Sequence, residues 1–593
     1  MTESTSRYAN LVELFQQSVD SYAERPAFGV LKGRDWVWTT YAELGARVER
    51  FRAALALLGV GRGDRVAIVC DNRLEWVIAA HATFQRRGVY VPMFEAQHDS
   101  ELKYILSDSG AKVCLVANSS VAARVASLRE DLLDLQHVVT IDAPADDPSS
   151  WAGLVARGAE RSVSARTPLA SDVATIIYTS GTTGEPKGVR LTHRNLANNA
   201  WALREARDYG ADPRCMAFLP WAHVFGGCVE LNLALSIGAS IAICRNVDQL
   251  FEEMARVRPT MLYAVPRIWH QIYHDMLRDL AREPEMSRNM FDQGLRLRAK
   301  QQRGEHLGIS QRVSLNLAEK LVIGKLKARL GGRLRLAFSG AAPLPTEVAE
   351  FLHTVGVTIY EGYGLTESSG STTTNPTGGA RFGSVGKPVP GTNIVIDRSS
   401  PAPTGDVREG EIIIYGHGVM AGYHNRPADT AAALLPDGGL RTGDIGYLDE
   451  DGYLFVTGRV KELYKLNNGR YVAPTPLEEK LKLSPYVANC MVYGAGQPYN
   501  VALIVADLPA LQAFFGGELT TPQQLLSNRR TRRLYEDEIL KHSKDFRTFE
   551  LVRNFWIETE PFTRENGMLT PTFKLKRENV RRRYEARLLS LYG

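Results

Sequence analysis

The sequence predicts an α/β protein of layered sheets and helices with a smaller unit beside it, and three observations carry that expectation. Brief apolar runs at residues 65–70 and 89–93 alternate with helix-length amphipathic stretches, the pattern of parallel strands joined by covering helices. Several such runs end in Gly-rich strings, where open α/β sheets hold ligands. A chain of 593 residues also exceeds one compact core and divides into two or more packed units.

The elements follow in order. Leu11, Leu14, Phe15 and Val19 place a helix over residues 9–22, and residues 36–40 read as a strand. Tyr41-Ala42-Glu43-Leu44 opens a long helix that Gly59 and Gly61 stop. The buried-type strand 65–70 precedes a helix over 75–86, a strand over 89–93, a helix over 101–107 and a strand over 112–116. Residues 143–170, rich in Pro, Ser, Asp and Arg, read as a connection. Beyond it come a helix over 193–204, a strand over 216–220 and a long helical region from Pro266. Residues 282–335 form a helical pair whose many basic groups, Arg296, Arg298, Lys300, Arg303, Lys325, Lys327 and Arg329 among them, make a solvated face. An anionic lipid surface is the alternative use of that face. Strands are expected at 334–339, 357–361 and on both sides of the turn Asp449-Glu450-Asp451-Gly452. Residues 465–472 read as a hairpin, 474–483 as a helix and 578–591 as a basic helix.

Composition narrows the class. At 44% hydrophobic and 23% charged residues the chain is an ordinary globular protein, and a net charge of +5 does not call for nucleic acid. Cys70, Cys114, Cys215, Cys228, Cys244 and Cys490 include no Cys-x-x-Cys pair and no Cys/His metal spacing. They are expected to be buried free thiols in a reducing compartment. The polar first ten residues carry no secretory pattern, and Glu230, Asn232, Ser236 and Gly238 break the apolar stretch 228–244 into a buried helix and strand. A cytoplasmic protein is expected, with contact at the membrane surface and a homodimer both left open.

The chemistry gathers in a few strings. Tyr178-Thr179-Ser180-Gly181-Thr182-Thr183-Gly184-Glu185-Pro186-Lys187-Gly188-Val189 lies between two apolar runs and reads as a loop joining two strands. Its glycines let backbone N–H groups approach a polyphosphate, its hydroxyls add donors and Lys187 adds charge. It is not a Walker A loop, because Lys187 stands between Pro186 and Gly188. Gly340-Ala341-Ala342 ends a strand and leaves room for a flat ligand. In Gly362-Tyr363-Gly364-Leu365-Thr366-Glu367, Tyr363 offers an aromatic face to a purine, Thr366 a hydroxyl to phosphate and Glu367 a hard oxygen to Mg²⁺. Asp444, beside Gly443, can accept both hydroxyls of a ribose. His223 sits in the aromatic string Trp221-Ala222-His223-Val224-Phe225 and is either a packed core histidine or a site residue.

Taken together these strings resemble the adenylate-forming superfamily of acyl-CoA synthetases, luciferases and peptide-synthetase adenylation domains, with the long-chain fatty acyl-CoA synthetases most alike. The resemblance runs from Thr40-Tyr41-Ala42-Glu43-Leu44 to Lys574, with the motifs in family order. It implies a large N-terminal domain of layered α/β subdomains over residues 1–459 and a mobile α+β C-terminal domain over 460–593. The implied nucleotide contacts are Thr179, Ser180, Gly181, Thr182, Thr183, Gly184 and Lys187 for the phosphates, and Gly340, Ala341, Ala342, Gly362, Tyr363 and Gly364 for adenine. They continue with Thr366 on the α-phosphate, Asp444 and Arg459 on ribose, and Glu367 with Thr182 on Mg²⁺. His223 would border the carboxylate and Lys461 would be the hinge. The loop around Gly469 would line the tunnel for coenzyme A. Lys574, in Phe573-Lys574-Leu575-Lys576-Arg577, would be the catalytic lysine, although Phe573 stands where relatives carry glycine and Lys576 lies two residues on. The implied reaction activates a fatty acid with ATP to acyl-adenylate and passes it to coenzyme A. Activation of a medium-chain or aromatic acid, transfer to another acceptor, a catalytically inactive nucleotide-binding regulator and a lipid-surface scaffold are the alternatives.

Overall fold

The computed structural model describes residues 8–179, 185–302, 304–399, 406–517, 521–570 and 574–593. Ser180, Gly181, Thr182, Thr183 and Gly184 of the expected phosphate loop lie outside the described residues, as do Arg303 and Phe573.

Two large sheets carry the N-terminal part. One runs His137–Thr140, Val113–Val116, Arg65–Val69, Val89–Met93, Val173–Thr179, Lys187–Thr192, parallel except for its last pair. The strands on either side of residues 180–184 therefore form an antiparallel hairpin, with Thr179 opposite Lys187. The other sheet has nine strands among the described residues. Its centre aligns Arg214–Ala217, Met261–Ala264, Leu336–Ser339 and Ile359–Tyr363 in parallel. The ligand-type strings thus leave the carboxyl ends of neighbouring strands, as expected for α/β layers.

Local chemistry sets the helix bounds. Thr40 and Glu43 form a reciprocal capping box that starts the helix Tyr41–Leu57, which gives that string its physical reason. The expected connection 143–170 instead holds the helix Trp151–Ala159. Ser150 caps it, Trp151 stacks on Phe51 at 3.7 Å, and Gly158 presses so close to Ala54 that a Cβ would meet its backbone nitrogen at 2.7 Å. The strand Pro26–Lys32 lay unread in the sequence; it pairs with Ser240–Ile243, some two hundred residues away. The stretch 228–244 holds the helix Leu231–Ser236 and then that strand, and among the described residues no helix is long and apolar enough to cross a membrane. All six cysteines are free, five of them buried.

A four-stranded antiparallel sheet ends in Leu440–Leu448 and Leu454–Arg459, which turn at residues 449–452 as expected. Beyond Arg459 come the hairpin Tyr464–Lys465/Tyr471–Val472, the helix Pro474–Leu481, a three-stranded sheet and the helix Arg577–Leu589. Residues of this last part have their own apolar clusters, one around Leu477 and Tyr535, another around Leu503 and Tyr584.

Candidate active site

A cavity of about 590 Å³ opens where the strand ends, the phosphate-loop flanks and the chain's last turns meet. Thr179, Lys187, His223, Gly340, Ala341, Gly362, Gly364, Thr366, Glu367, Arg459, Lys461 and Lys574 all line it, so residues spread over some four hundred positions converge. Ala342, Tyr363 and Asp444 do not reach its wall. Tyr363 and Asp444 stand beside it through hydrogen bonds: Tyr363 Oη donates to Asp444 Oδ2 at 2.7 Å, and Arg459 Nε donates to Oδ1 at 2.7 Å.

Asp444 and Arg459 face each other across the strand pair, so backbone register sets their ion pair. Asp444 is 4% exposed, and its charge raises the Arg459 guanidinium further above its ordinary range. Each carboxylate oxygen receives one of these two bonds and keeps lone-pair capacity for a ribose hydroxyl.

Thr366 and Glu367 sit on the single turn Thr366–Ser368. That turn folds tightly because Gly364 packs on Gly370, where a Cβ would meet the Gly370 carbonyl oxygen at 2.4 Å. Tyr423 Oη donates to Glu367 Oε1 at 2.8 Å and holds the carboxylate at the cavity edge. Ala341 adopts a left-handed φ of 72°, a strained conformation of the kind found at ligand sites, which turns the chain at the end of its strand.

His223 lies just before a π-helical turn, Phe225–Glu230. Gly227 allows that helical turn to pack on the connection before it, since a Cβ there would meet the Trp221 carbonyl oxygen at 2.2 Å. The Phe225 N–H donates to His223 Nδ1 at 3.2 Å, which assigns the ring proton to Nε2. Burial, and then the charge of Lys574, lower the His223 pKa to about 3, so the ring is a neutral donor at physiological pH.

Lys187 is ion-paired with Asp429 and lies over the Tyr423 ring at 5.1 Å. Its hydrogen bond holds the Asp429 carboxyl below the usual carboxylate range. An anion reaching this lysine would have to compete with a carboxylate.

Lys574 is carried by a short antiparallel bridge between Leu569 and Leu575: its N–H donates to Thr570 Oγ1 at 3.0 Å, and the Thr570 N–H returns a bond to the Lys574 carbonyl at 2.8 Å. Arg577 ties this strap to the C-terminal core through a two-pronged pair with the buried Glu478, at 2.7 and 2.8 Å. The Lys574 side chain is accessible because it projects into the cavity's own volume, yet protein surrounds it. That enclosure, and then the Arg459 charge, lower its pKa to about 8. Lys576 does not line the cavity; it stands at the residue before the helix Arg577–Leu589.

Sequence reasoning missed Tyr423 and Asp429. They lie in and after the loop Gly422-Tyr423-His424-Asn425-Arg426, where only the glycine beside an aromatic hinted at a site.

A nucleotide-sized cavity at strand ends, framed by phosphate-type, ribose-type and acid-type side chains, defines a nucleotide-binding α/β enzyme. The chain belongs to the AMP-binding enzyme family, whose model matches residues 15–424, and the C-terminal domain model of AMP-binding enzymes matches residues 462–515. It is 32% identical over 594 aligned residues to the long-chain-fatty-acid–CoA ligase FadD15 of Mycobacterium tuberculosis, covering 94% of this chain and 93% of that one. It is 28% identical to long chain acyl-CoA synthetase 2 of Arabidopsis thaliana, over 98% and 92% of the two chains. Among solved structures, the adenylation domain of a carboxylate reductase from Mycobacterium chelonae matches with a TM-score of 0.79 and 25% identity, over 99% of this chain and 92% of that one.

Proposed function

We propose that this chain is an AMP-forming acid–CoA ligase acting on long-chain fatty acids, with residues 460–593 turning as a unit about Lys461 between its two half-reactions. The observation that carries the reading is the meeting of Lys574, from the end of the chain, with Thr366, Glu367 and Arg459 in one cavity. Relatives that align over almost their full length are named long-chain-fatty-acid–CoA ligase and long chain acyl-CoA synthetase.

A carboxylate is a poor acyl donor because its leaving group would be oxide. In the first half-reaction a carboxylate oxygen attacks the α-phosphorus of ATP, the bond to the β-phosphate oxygen breaks, and pyrophosphate leaves. Two anions must approach, so the protein's part is positioning and charge neutralisation rather than covalent chemistry. Lys574 and the His223 Nε2–H orient the acid, Thr366 and Lys187 hold phosphate oxygens, and Asp444 with Arg459 fixes the ribose. In the second half-reaction the coenzyme A thiolate attacks the acyl carbon and AMP departs; Lys574 must first withdraw.

Glu367 suits a magnesium ion. Tyr423 fixes one of its oxygens with a single hydrogen bond, and Mg²⁺ is commonly held by one or two carboxylates together with substrate phosphates. Bound there, the ion would offset polyphosphate charge.

The basic helical region supports a further part of the reading, contact with anionic lipid where long-chain acids partition. Ile309, Val313, Leu317 and Leu321, spaced four apart, are exposed along one ridge, and Lys and Arg outnumber Asp and Glu more than two to one over residues 282–335.

The test is AMP release with ATP, Mg²⁺, coenzyme A and a ladder of straight-chain fatty acids. CoA-dependent release peaking at long chains is expected. Pyrophosphate without CoA-dependent turnover would mean another acceptor, and silence across the ladder would overturn the ligase reading.

A further inference from the structure

The same cavity reaches below the nucleotide strings. Phe338 and Tyr360 each precede a cavity glycine, Gly340 and Gly362, by two residues, about 7 Å down their strands. Register places Tyr263, Phe338 and Tyr360 side by side on one face of the nine-stranded sheet. Tyr263 stacks on Phe338 with centroids 4.5 Å apart, and Leu203, Val229 and Leu233 complete an apolar slot with them.

Charge interrupts this slot. Arg207 lines it at 8% exposure, with its guanidinium 4.8 Å from the Phe338 ring centre and 4.6 Å from that of Tyr360. Nη2 donates to Thr374 Oγ1 at 2.7 Å and to the Asn375 carbonyl at 2.9 Å. Nε and Nη1 make no hydrogen bond of ordinary geometry among the described residues, and neither does the hydroxyl of Tyr263, which is 2% exposed. Glu230 and Tyr209 both lie close enough to influence Tyr263; burial raises the Glu230 carboxyl above its ordinary range and neither of its oxygens makes a hydrogen bond among the described residues, while Tyr209 donates its hydroxyl to the Leu203 carbonyl at 2.7 Å and offers its oxygen, uncharged, to the side of Arg207. Buried donors of this kind are normally matched by a partner. Plain alkyl chain offers them none.

We propose that Arg207, with Tyr263, reads a second oxygen group at the far end of the acid, so that the preferred substrate is a fatty acid bearing a distal hydroxyl or carboxylate. This rests on the acid–CoA ligase reading and specifies its substrate class. The wall stays apolar for the methylene chain, while the guanidinium N–H groups donate to an oxygen at the depth of the aromatic ladder.

The experiment compares straight-chain acids from octanoic to hexadecanoic with the ω-hydroxy acid and the α,ω-dicarboxylic acid of each length, by CoA-dependent AMP release. At the best length the oxygenated acid is expected to exceed its plain counterpart in kcat/KM by about tenfold or more, because a site built to hydrogen-bond a substrate group rejects the analogue lacking it. Arg207→Met should bring that ratio toward one, chiefly through KM on the oxygenated acid. Arg207→Lys should keep part of it, and Tyr263→Phe, which removes only the hydroxyl, should lower it by a smaller factor. A hydroxyl or a carboxylate preference distinguishes the two forms of the group. A wild type that favours plain acids at every length overturns the proposal, as does a ratio unmoved in Arg207→Met, or a loss equal for both classes, which would mark a structural arginine. Turnover of plain acids with no preference sinks this inference alone; silence with every acid sinks the ligase reading and this inference with it.

Discussion

Lys574 concentrates the chemistry of the site in one titratable group. Its pKa of about 8 follows from enclosure in the cavity and then from the neighbouring Arg459, both of which disfavour the ammonium form. Since the proposed role, meeting the carboxylate and α-phosphate, belongs to the cation, adenylation measured as kcat/KM should be level below that pH and fall about tenfold per unit above it. Lys574→Arg, which remains charged, should remove this limb whatever it does to the rate; a limb surviving in that variant assigns it to another group. Lys574→Ala should lower adenylate formation by about a hundredfold or more while leaving thioester formation from preformed acyl-AMP near its wild-type rate. Equal loss of both half-reactions would count against withdrawal of the lysine between them. His223 contributes no limb near neutrality, because burial keeps it neutral down to about pH 3.

Elements decide whether such side chains meet. The turn bearing Thr366 and Glu367 depends on Gly364 closing against Gly370, so Gly364→Ala should force the two backbones apart, with a cost of about 1–3 kcal/mol in denaturant unfolding and a larger loss in adenylation than in stability. Wild-type denaturation with activity lost only in proportion to unfolding would contradict this. The ridge Ile309, Val313, Leu317, Leu321 predicts binding to anionic phosphatidylglycerol vesicles, weakened several-fold by Leu317→Glu and by added salt, and weak on neutral phosphatidylcholine. Equal sedimentation with both vesicle types would remove the electrostatic part of that account. Much at this scale was legible in the sequence, because amphipathic spacing, Gly stops and short β-branched runs are local signals. The helix Trp151–Ala159 was not. Its hold on the structure is the stacking of Trp151 on Phe51 and the close approach of Gly158 to Ala54, both set by residues a hundred positions away. Tyr423, Asp429 and Arg207 stayed hidden for a related reason: each works through a partner distant in sequence and sits in no motif of its own.

Across the whole molecule, the question is what holds the C-terminal part where Lys574 reaches the cavity. An apolar contact and an ionic one are part of the answer. Leu483 packs into the apolar cluster of Trp269, Ile272 and Val348, and Lys480 pairs with Glu347 on the helix Thr346–Val355. The ion pair is partly exposed and contributes about 0–1 kcal/mol, so by itself it biases the docked arrangement only modestly. A modest bias suits the turning proposed for this part, because a strongly favoured docked form would slow the second half-reaction by the same free energy that aided the first. Charge reversal tests it. Glu347→Lys and Lys480→Glu, taken singly, should each slow adenylation by about two- to tenfold and leave thioester formation from preformed acyl-AMP unchanged or faster. The double exchange should restore part of the adenylation rate, because the pair is rebuilt with its charges swapped while the new carboxylate at position 480 stands near Asp545. Single variants with wild-type rates in both half-reactions would show that the ion pair does not bias the arrangement, leaving Leu483 and the nucleotide itself to hold Lys574 in place.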